Sequence, residues 1–310
     1  MSAPQGEYRL AAAGDFILPF DLPQARLRGR LVRLDAVATR ALAAHLLPEP
    51  VARVAAETCV LGTLLGSALK LAGRLTVQTK SSGPLDLVTV DYYGAEDDRA
   101  AGVRAYARLD ERRFASLPGT RPSFEAMAGE GVFAITIETK EGGQRYQGIV
   151  SLAPESIAAS AEAYFAQSEQ LPTAIRLAAA PVYEPGRQEP HWLAGGLMLQ
   201  AMPDGRVDSD DWERLTAFLA TVEDLELVDG TLSAETLLWR LFHEDEVRLQ
   251  KVESIAFRCD CESGRIASVL GSYATSELEG LADADGIIRA RCEFCGRVHE
   301  IPPPDTNQSN

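Results

Sequence analysis

The chain has few basic residues for its length, and this shortage excludes one broad class of partner. Lysine and arginine total 30 against 45 aspartates and glutamates, which gives a formal net charge of −15 at pH 7. Nucleic-acid phosphates repel a protein of this charge, and no cluster of lysine or arginine offers them a basic face. We therefore expect no nucleic-acid partner.

Long apolar runs and targeting signals are also lacking. The longest uncharged, largely apolar run extends from Thr58 to Leu69, which is shorter than the ~20 residues that a membrane-spanning helix needs. The segment 1–30 has no basic start followed by an apolar stretch, so it does not resemble a signal peptide. These features predict a cytoplasmic protein with no membrane partner, in a compartment that keeps thiols reduced.

Motifs for nucleotide binding and catalysis are missing as well. There is no glycine-rich phosphate loop of the Walker or dinucleotide type. The four histidines, His45, His191, His243 and His299, are scattered, and no Ser/His/Asp or Cys/His arrangement can be assembled from the sequence. Nothing here requires catalysis, so we expect a protein that is not an enzyme.

Cysteine is scarce, with five residues, but four of them form two close pairs near the C-terminus. Cys259 and Cys261 enclose one residue, Cys292 and Cys295 enclose two, and thirty residues separate the pairs. Four thiolates in a tetrahedron are a typical structural zinc site, and a reducing compartment favours metal over standing disulfides. The spacing therefore predicts that these four cysteines bind Zn²⁺. A pair of structural disulfides and four unrelated buried thiols are the alternatives.

Two further residues bear on this prediction. His299 lies four residues after Cys295 and competes as a metal ligand, although four thiolates already fill a tetrahedron. Cys59 lies alone in an apolar stretch with helical periodicity, where a cysteine is usually a small core residue. We expect Cys59 to be buried and His299 to remain outside the metal site.

Hydrophobic periodicity predicts an α+β protein whose N-terminal domain, residues 1–203, is an antiparallel sheet with flanking helices. Strands are predicted where apolar and polar residues alternate, at 75–80, 85–93, 102–108, 132–139, 145–152, 178–182 and 192–200. Helices are predicted at 36–47, at 51–71 and from Pro154 onward. Residues 1–30 look poorly structured because proline and glycine interrupt them.

The segment 204–258 has a different character, which predicts an acidic helical linker. It holds 14 acidic and 6 basic residues, a net −8 of the chain's −15. A capping box at Asp210 and a second cap at Ser233 precede amphipathic stretches. Helices with such narrow apolar faces need something to dock on. The remaining residues, 259–310, form a small C-terminal zinc-binding domain whose tail after Ile301 we expect to be disordered.

The single residue between Cys259 and Cys261 suggests that this zinc domain is a redox switch. Zn–S bonds of about 2.3 Å place sulfurs ~3.8 Å apart, so neighbouring thiolates need little motion to form a disulfide. A disulfide across this pair would close a small, strained ring and would be readily reduced. We hypothesise that loss of zinc melts the domain, removes the partner of the linker helices and exposes their apolar residues, which are Trp212, Phe218, Leu237, Leu238 and Phe242.

Several motifs extend over most of the chain and are more specific than the cysteines alone. They are the two cysteine pairs with Gly296 after the second, Tyr146–Val150, Tyr164–Thr173, Gly195–Gln200 and Arg240–Glu244. Together they resemble the heat shock protein 33 family of redox-regulated holdase chaperones. The chain departs from the family pattern at Ala105, at 128–131 and at His299, and these departures affect local geometry.

This resemblance implies a function. The reduced protein would hold zinc through Cys259, Cys261, Cys292 and Cys295 and be inactive. Oxidants combined with mild unfolding stress would form Cys259–Cys261 and Cys292–Cys295 disulfides and release the zinc. The linker would then unfold, the protein would form a homodimer, and unfolded client proteins would be held without ATP until refolding chaperones take them. Family members are cytoplasmic.

Two functions of other classes remain open from the residues. A thiol–disulfide oxidoreductase would be favoured by a Cys-x-x-Cys at the start of a helix, whereas here the second pair follows a strand predicted at 287–291. A constitutive zinc-stabilised interaction module would use the same four ligands without any switch.

Overall fold

The computed structural model of the chain describes residues 14–140, 145–202, 207–271, 278, 280–283 and 285–302. It has the expected α+β architecture: one large and mostly antiparallel sheet, helices packed on it, and a small two-stranded sheet near the C-terminus. The strands of the N-terminal part are β1 (Phe16–Leu22), β2 (Leu27–Leu34), β3 (Gly73–Ser81), β4 (Leu85–Tyr93), β5 (Ala101–Leu109), β6 (Gly131–Thr139), β7 (Arg145–Ser151), β8 (Thr173–Val182) and β9 (His191–Ala201).

The helices of this part support the sheet. They are α1 (Ala36–Leu42), α2 (Glu49–Ala68), α3 (Glu111–Ala115), α4 (Phe124–Ala128) and α5 (Ile157–Tyr164). The predicted helix at Pro154 begins three residues later, because the Ser156 hydroxyl caps it by accepting from the backbone N–H of Ala159. The predicted helix at 36–47 ends at Leu42, five residues early.

The expectation that residues 1–30 are poorly structured is wrong for the part that the structure describes. β1 and β2 pair with each other inside the large sheet, between β11 and β9, and most of their side chains are buried. Gly29 of β2 lies opposite Phe20 of β1, and a Cβ on it would lie 2.0 Å from Cζ of the Phe20 ring. The glycine makes room for the aromatic ring across the strand pair. Residues 1–13 lie outside the described part.

Helix α2 is the core helix of the N-terminal part. It packs on β4, β5, β8 and β9 and carries 15 buried residues. By length and composition this helix is apolar enough to cross a membrane, but 83% of its apolar 18-residue stretch is buried inside the protein. Cys59 is fully buried on this helix, as predicted, and burial raises the pKa of its thiol to about 12.

The acidic segment packs on the sheet. It forms α6 (Ser209–Ala220), α7 (Asp224–Val228) and α8 (Ala234–Phe242), followed by two short strands that the sequence did not predict, β10 (Arg248–Leu249) and β11 (Glu253–Phe257). The buried residues of the three helices share one apolar cluster with β1, β2 and β9. The hypothesis that the helices dock on the cysteine region is therefore wrong, since their apolar faces cover the sheet.

The large sheet runs in the order β7-β6-β3-β4-β5-β11-β1-β2-β9-β8, with β10 on β1. β11 lies parallel to β5 and antiparallel to β1, so it joins the two halves of the sheet. Beyond it come α9 (Ser263–Leu270), β12 (Ile288–Arg291) and β13 (Val298–Ile301). The disordered tail predicted after Ile301 falls mostly outside the described residues.

Candidate metal centre

The first cysteine pair is held to the sheet by β11. This strand pairs in parallel register with the start of β5, with Ile255 opposite Ala101 and Phe257 opposite Val103. The backbone N–H of Arg258 extends the ladder by donating to the carbonyl of Val103 at 3.0 Å. Cys259 follows at once, so its position is fixed by strand pairing one residue before it.

The second pair lies in a turn between β12 and β13. The N–H of Gly296 donates to the carbonyl of Cys292, and the N–H of Cys292 donates to the carbonyl of Arg297, each at 2.8 Å. Gly296 has a φ of +71°, a left-handed conformation that favours glycine. The turn brings the sulfurs of Cys292 and Cys295 to the same side, facing the first pair.

The four sulfurs form one group. Their Sγ atoms all lie within 4.8 Å of one another, at 3.7 Å between Cys259 and Cys292 and 3.4 Å between Cys261 and Cys295. Zn–S bonds of about 2.3 Å in a tetrahedron require sulfurs ~3.8 Å apart. The two shorter S–S distances lie just below this separation, and the 4.8 Å limit on all of them lies above it. All five cysteines of the chain are free thiols. The arrangement of Cys259, Cys261, Cys292 and Cys295 can hold a metal ion.

Electrostatics also fit a cation at this point. Burial and the neighbouring sulfurs raise the pKa of Cys261, and burial is the main cause of the raised pKa of Cys259. The pKa of Cys295 is lowered, because the backbone N–H of Arg297 and the other sulfurs outweigh its burial. Four adjacent thiolates repel one another, and a divalent cation removes that penalty.

Arg104 on β5 contacts the centre from the sheet. Its Nη1 donates to Sγ of Cys259 at 3.4 Å, and its guanidinium lies 3.9 Å from the centroid of the Phe294 ring. Its Nε and Nη2 donate to Oδ2 of Asp91 on β4, at 2.9 and 2.6 Å. Tyr106 stands two residues further along β5, with its ring centroid 6.0 Å from that of Phe294.

A second set of ion pairs surrounds the first cysteine pair. Asp260 accepts from Arg258 at 2.9 Å and from Arg99 at 2.8 Å. Arg258 also donates to Glu96 at 3.0 Å. Its side chain packs against Gly102 so closely that a Cβ added to this glycine would lie 2.3 Å from the Cβ of Arg258. The residue between the two cysteines is therefore tied to the loop that precedes β5.

The other candidate residues lie apart from the sulfurs. His299 is buried on β13, opposite Ala290, and is not a member of the four-sulfur group. Cys59 is in the core of the N-terminal part. Sequence reasoning missed Arg104, Asp91 and Phe294, because an arginine within an alternating strand looks like an ordinary exposed residue. The available signal was Phe294 itself, an aromatic residue inside the second cysteine pair.

Comparisons with known proteins find relatives that match most of this chain. The family model described as Hsp33 protein matches residues 15–302. A 33 kDa chaperonin of Caulobacter vibrioides is 38% identical over 295 residues, which cover 94% of this chain and 95% of the relative. A 33 kDa chaperonin of Haemophilus influenzae is 39% identical over 271 residues, covering 87% and 86%.

A solved structure supports the fold. The crystal structure of a 33 kDa chaperonin from Thermotoga maritima, described as a heat shock protein 33 homolog, superposes with a TM-score of 0.75. The alignment covers 94% of this chain and 96% of that one at 19% sequence identity. At this identity the likeness concerns the architecture alone.

Proposed function

The chain belongs to the Hsp33 family of chaperones, and from this premise we propose that it is an ATP-independent holdase controlled by the redox state of its four-cysteine centre. The observation that carries the proposal is the group of four sulfurs within 4.8 Å of one another, of which those of Cys259 and Cys261 come directly after β11. β11 is the last strand of the acidic segment, so the state of the centre bears directly on that segment.

In the reduced state, Cys259, Cys261, Cys292 and Cys295 are the ligands of one Zn²⁺. Bound zinc keeps the four sulfurs ionised and supplies folding free energy to a region whose own apolar core is small. The reduced protein is inactive towards clients because α6, α7 and α8 keep their apolar faces on the sheet.

Oxidation opens the centre. Two disulfides, Cys259–Cys261 and Cys292–Cys295, form when each pair loses two electrons and, counted as thiols, two protons. A molecule of peroxide accepts them and yields two waters for each disulfide. The sulfurs would then no longer serve as thiolate ligands for a zinc ion, and the residues around the turn at Cys292 would lose their link to Cys259.

The acidic segment supplies the apolar surface that binds client proteins. Once the centre opens, β11 loses the support that follows it, and the segment 204–258 loosens from the sheet. Leu237, Leu238 and Phe242, which are buried on α8, then become available to unfolded client proteins. The activated chain forms a homodimer in the cytoplasm and passes clients to refolding chaperones.

The thiol–disulfide oxidoreductase is the weaker alternative. Cys292 and Cys295 lie in a turn between two strands, whereas a catalytic Cys-x-x-Cys gains reactivity from the start of a helix. A constitutive zinc-stabilised module without a switch needs only the same four ligands. The oxidation experiment below distinguishes it from a redox-controlled chaperone.

The test is oxidation of the zinc-loaded protein with peroxide at raised temperature. We expect release of about one zinc per chain and suppression of the aggregation of a heat-unfolded client after oxidation only. Equal suppression before and after oxidation would identify a constitutive module. Catalytic turnover of a disulfide substrate would identify an oxidoreductase.

A further inference from the structure

We propose that Arg104 is a positioning residue that holds both halves of the cysteine centre against the main sheet and thereby slows its opening. The inference rests on the proposed function, since it concerns how the same centre is regulated. It concerns a side chain outside the four ligands.

The first step is the geometry of the guanidinium. One edge, formed by Nε and Nη2, is occupied by Asp91 at 2.9 and 2.6 Å. This fixes the plane of the group and leaves Nη1 directed at the Cys259 sulfur, 3.4 Å away. The flat face lies 3.9 Å from the Phe294 ring centroid. A planar fork can make these three contacts at once, whereas the point charge of lysine cannot.

The second step is that the contacts reach both cysteine pairs. Cys259 belongs to the first pair, and Phe294 lies between Cys292 and Cys295 of the second. The ion pairs of Arg258 and Arg99 converge on Asp260 and so engage the first pair. Within the part of the chain that the structure describes, Arg104 therefore joins the two halves to each other through a strand of the sheet.

The third step is burial. The side chain of Arg104 is 13% exposed and that of Asp91 is 5% exposed. Charged groups are rarely buried to this extent unless they are paired, and a cation beside an aromatic face gains further when water is excluded. Asp91 also accepts from the Thr76 hydroxyl at 2.6 Å, so the carboxylate stays in place. The centre is therefore docked on a rigid, charged support.

A consequence follows for the rate of opening. For the pairs to separate from the sheet, the sulfur contact and the ring contact must both break. Charge-assisted hydrogen bonds and desolvated cation–π contacts each add a modest barrier, so their joint loss should speed opening roughly tenfold. The backbone pairing of β4 with β5 uses neither contact. Without Arg104, the Asp91 carboxylate keeps the Thr76 hydroxyl at 2.6 Å and Arg74 at 3.8 Å as partners, so the sheet should remain folded.

The experiment compares Arg104→Met with Arg108→Met. Arg108 lies on the same strand and is exposed, and it pairs with Asp86. Under reducing conditions, zinc transfer to a chelator should be about tenfold faster for R104M and unchanged for R108M. Amide hydrogen exchange should accelerate at 257–261 and 292–297 and stay as in wild type in β1, β2 and β9.

Two further variants keep the test decisive. Phe294→Leu removes the ring contact from the turn, away from the sheet, and should also speed zinc transfer even if R104M fails to fold. Arg104→Lys keeps the charge but not the fork, and should release zinc nearly as fast as R104M. Wild-type behaviour of either R104M or R104K would overturn the positioning role.

The outcomes also separate this inference from the proposed function. If the wild-type protein binds no zinc, the proposed function fails, and hydrogen exchange at 257–261 still decides whether Arg104 holds the centre. If the wild type binds and releases zinc as proposed but the R104M rates equal those of wild type, the inference alone fails. Faster exchange throughout the sheet would indicate a general structural role and would also overturn it.

Discussion

The acidic helices and the cysteine region follow each other in the chain but are stabilised in different ways. Helices α6, α7 and α8 share an apolar cluster of 20 buried residues with the sheet. The cysteine region has a separate cluster whose buried members, among the described residues, are Leu278, Ile288 and Ile301. The first region is held by apolar burial, whereas we expect the second to depend on its four sulfurs and on contacts with β5.

This difference assigns separate roles to the two regions. A cluster as large as that of the helices should persist over ordinary changes of solvent. A region in which three apolar residues are buried among those that the structure describes should respond to a chemical change at four atoms. The two regions meet at β11, whose Glu253–Phe257 backbone pairs with both β1 and β5. We therefore predict that the cysteine region responds to chemical change at its sulfurs, that the helical region stays packed, and that the short strand β11 connects the two.

Removing the metal should have the largest effect. Cys292→Ser, or treatment with a strong chelator, should unfold the region 259–302, because structural zinc supplies roughly 10–16 kcal/mol of apparent folding free energy to small domains. Zinc content measured by absorption spectroscopy should fall from about one per chain to near zero. Hydrogen exchange should become fast at β12 and β13 and stay slow at β2 and β9. Cys59→Ser is the matched control, and it should retain zinc; unchanged zinc content in C292S would refute the ligand assignment.

Truncating the helical cluster should have the next largest effect. Phe242 is fully buried on α8, with its ring 6.1 Å from that of Phe20. Phe242→Ala should cost about 3–5 kcal/mol in free energy of unfolding, measured in denaturant. The reduced, zinc-loaded variant should then suppress client aggregation without oxidant.

The control for this variant is Trp239→Ala on the same helix. Trp239 is 66% exposed, so its loss should change the free energy of unfolding by no more than about 0.5 kcal/mol. If F242A remained inactive until oxidised, the packing of the helices on the sheet would not be what restrains activity.

A backbone contact offers a smaller and more local change. A Cβ at Gly195 on β9 would lie 2.2 Å from the carbonyl oxygen of Leu227 on α7. Gly195→Ala should displace α7 and cost about 1–3 kcal/mol by overpacking. Gly264→Ala in α9 has nothing within 4 Å of its new Cβ and is the matched control. Equal thermal stability of the two variants would contradict the close approach of α7 to the sheet.

The smallest expected effect concerns a helix cap. The Ser233 hydroxyl accepts from the backbone N–H of Thr236 at 3.2 Å at the start of α8. Ser233→Ala should lower the free energy of unfolding by about 1 kcal/mol, while Ser233→Asp should retain it. Zinc affinity should be unchanged in both, because the cap belongs to the region held by apolar burial. A change in zinc affinity would show that the helical region and the cysteine region are more tightly coupled than their separate apolar clusters indicate.

Much of the architecture was predictable from local patterns. The alternation in β3 to β7 and the apolar periodicity of α2 depend on which side chains face the core, and the sequence displays this directly. The cysteine spacing indicated a metal site because ligand chemistry depends on residue type, which the sequence also displays directly. β1 was missed because Pro19 and Pro23 look like breakers, whereas Pro19 lies inside the strand, opposite Arg30 of β2.

The sequence by itself determined the α+β class, the candidate ligands and the acidic segment, because periodicity, thiol chemistry and charge are properties of short stretches. Only the tertiary structure decided where the linker helices dock, that β11 joins both halves of the sheet, and that Arg104 reaches Cys259 across 155 positions. These features depend on contacts between residues far apart in the chain. Such contacts arise from the packing of complementary surfaces, which no local pattern records.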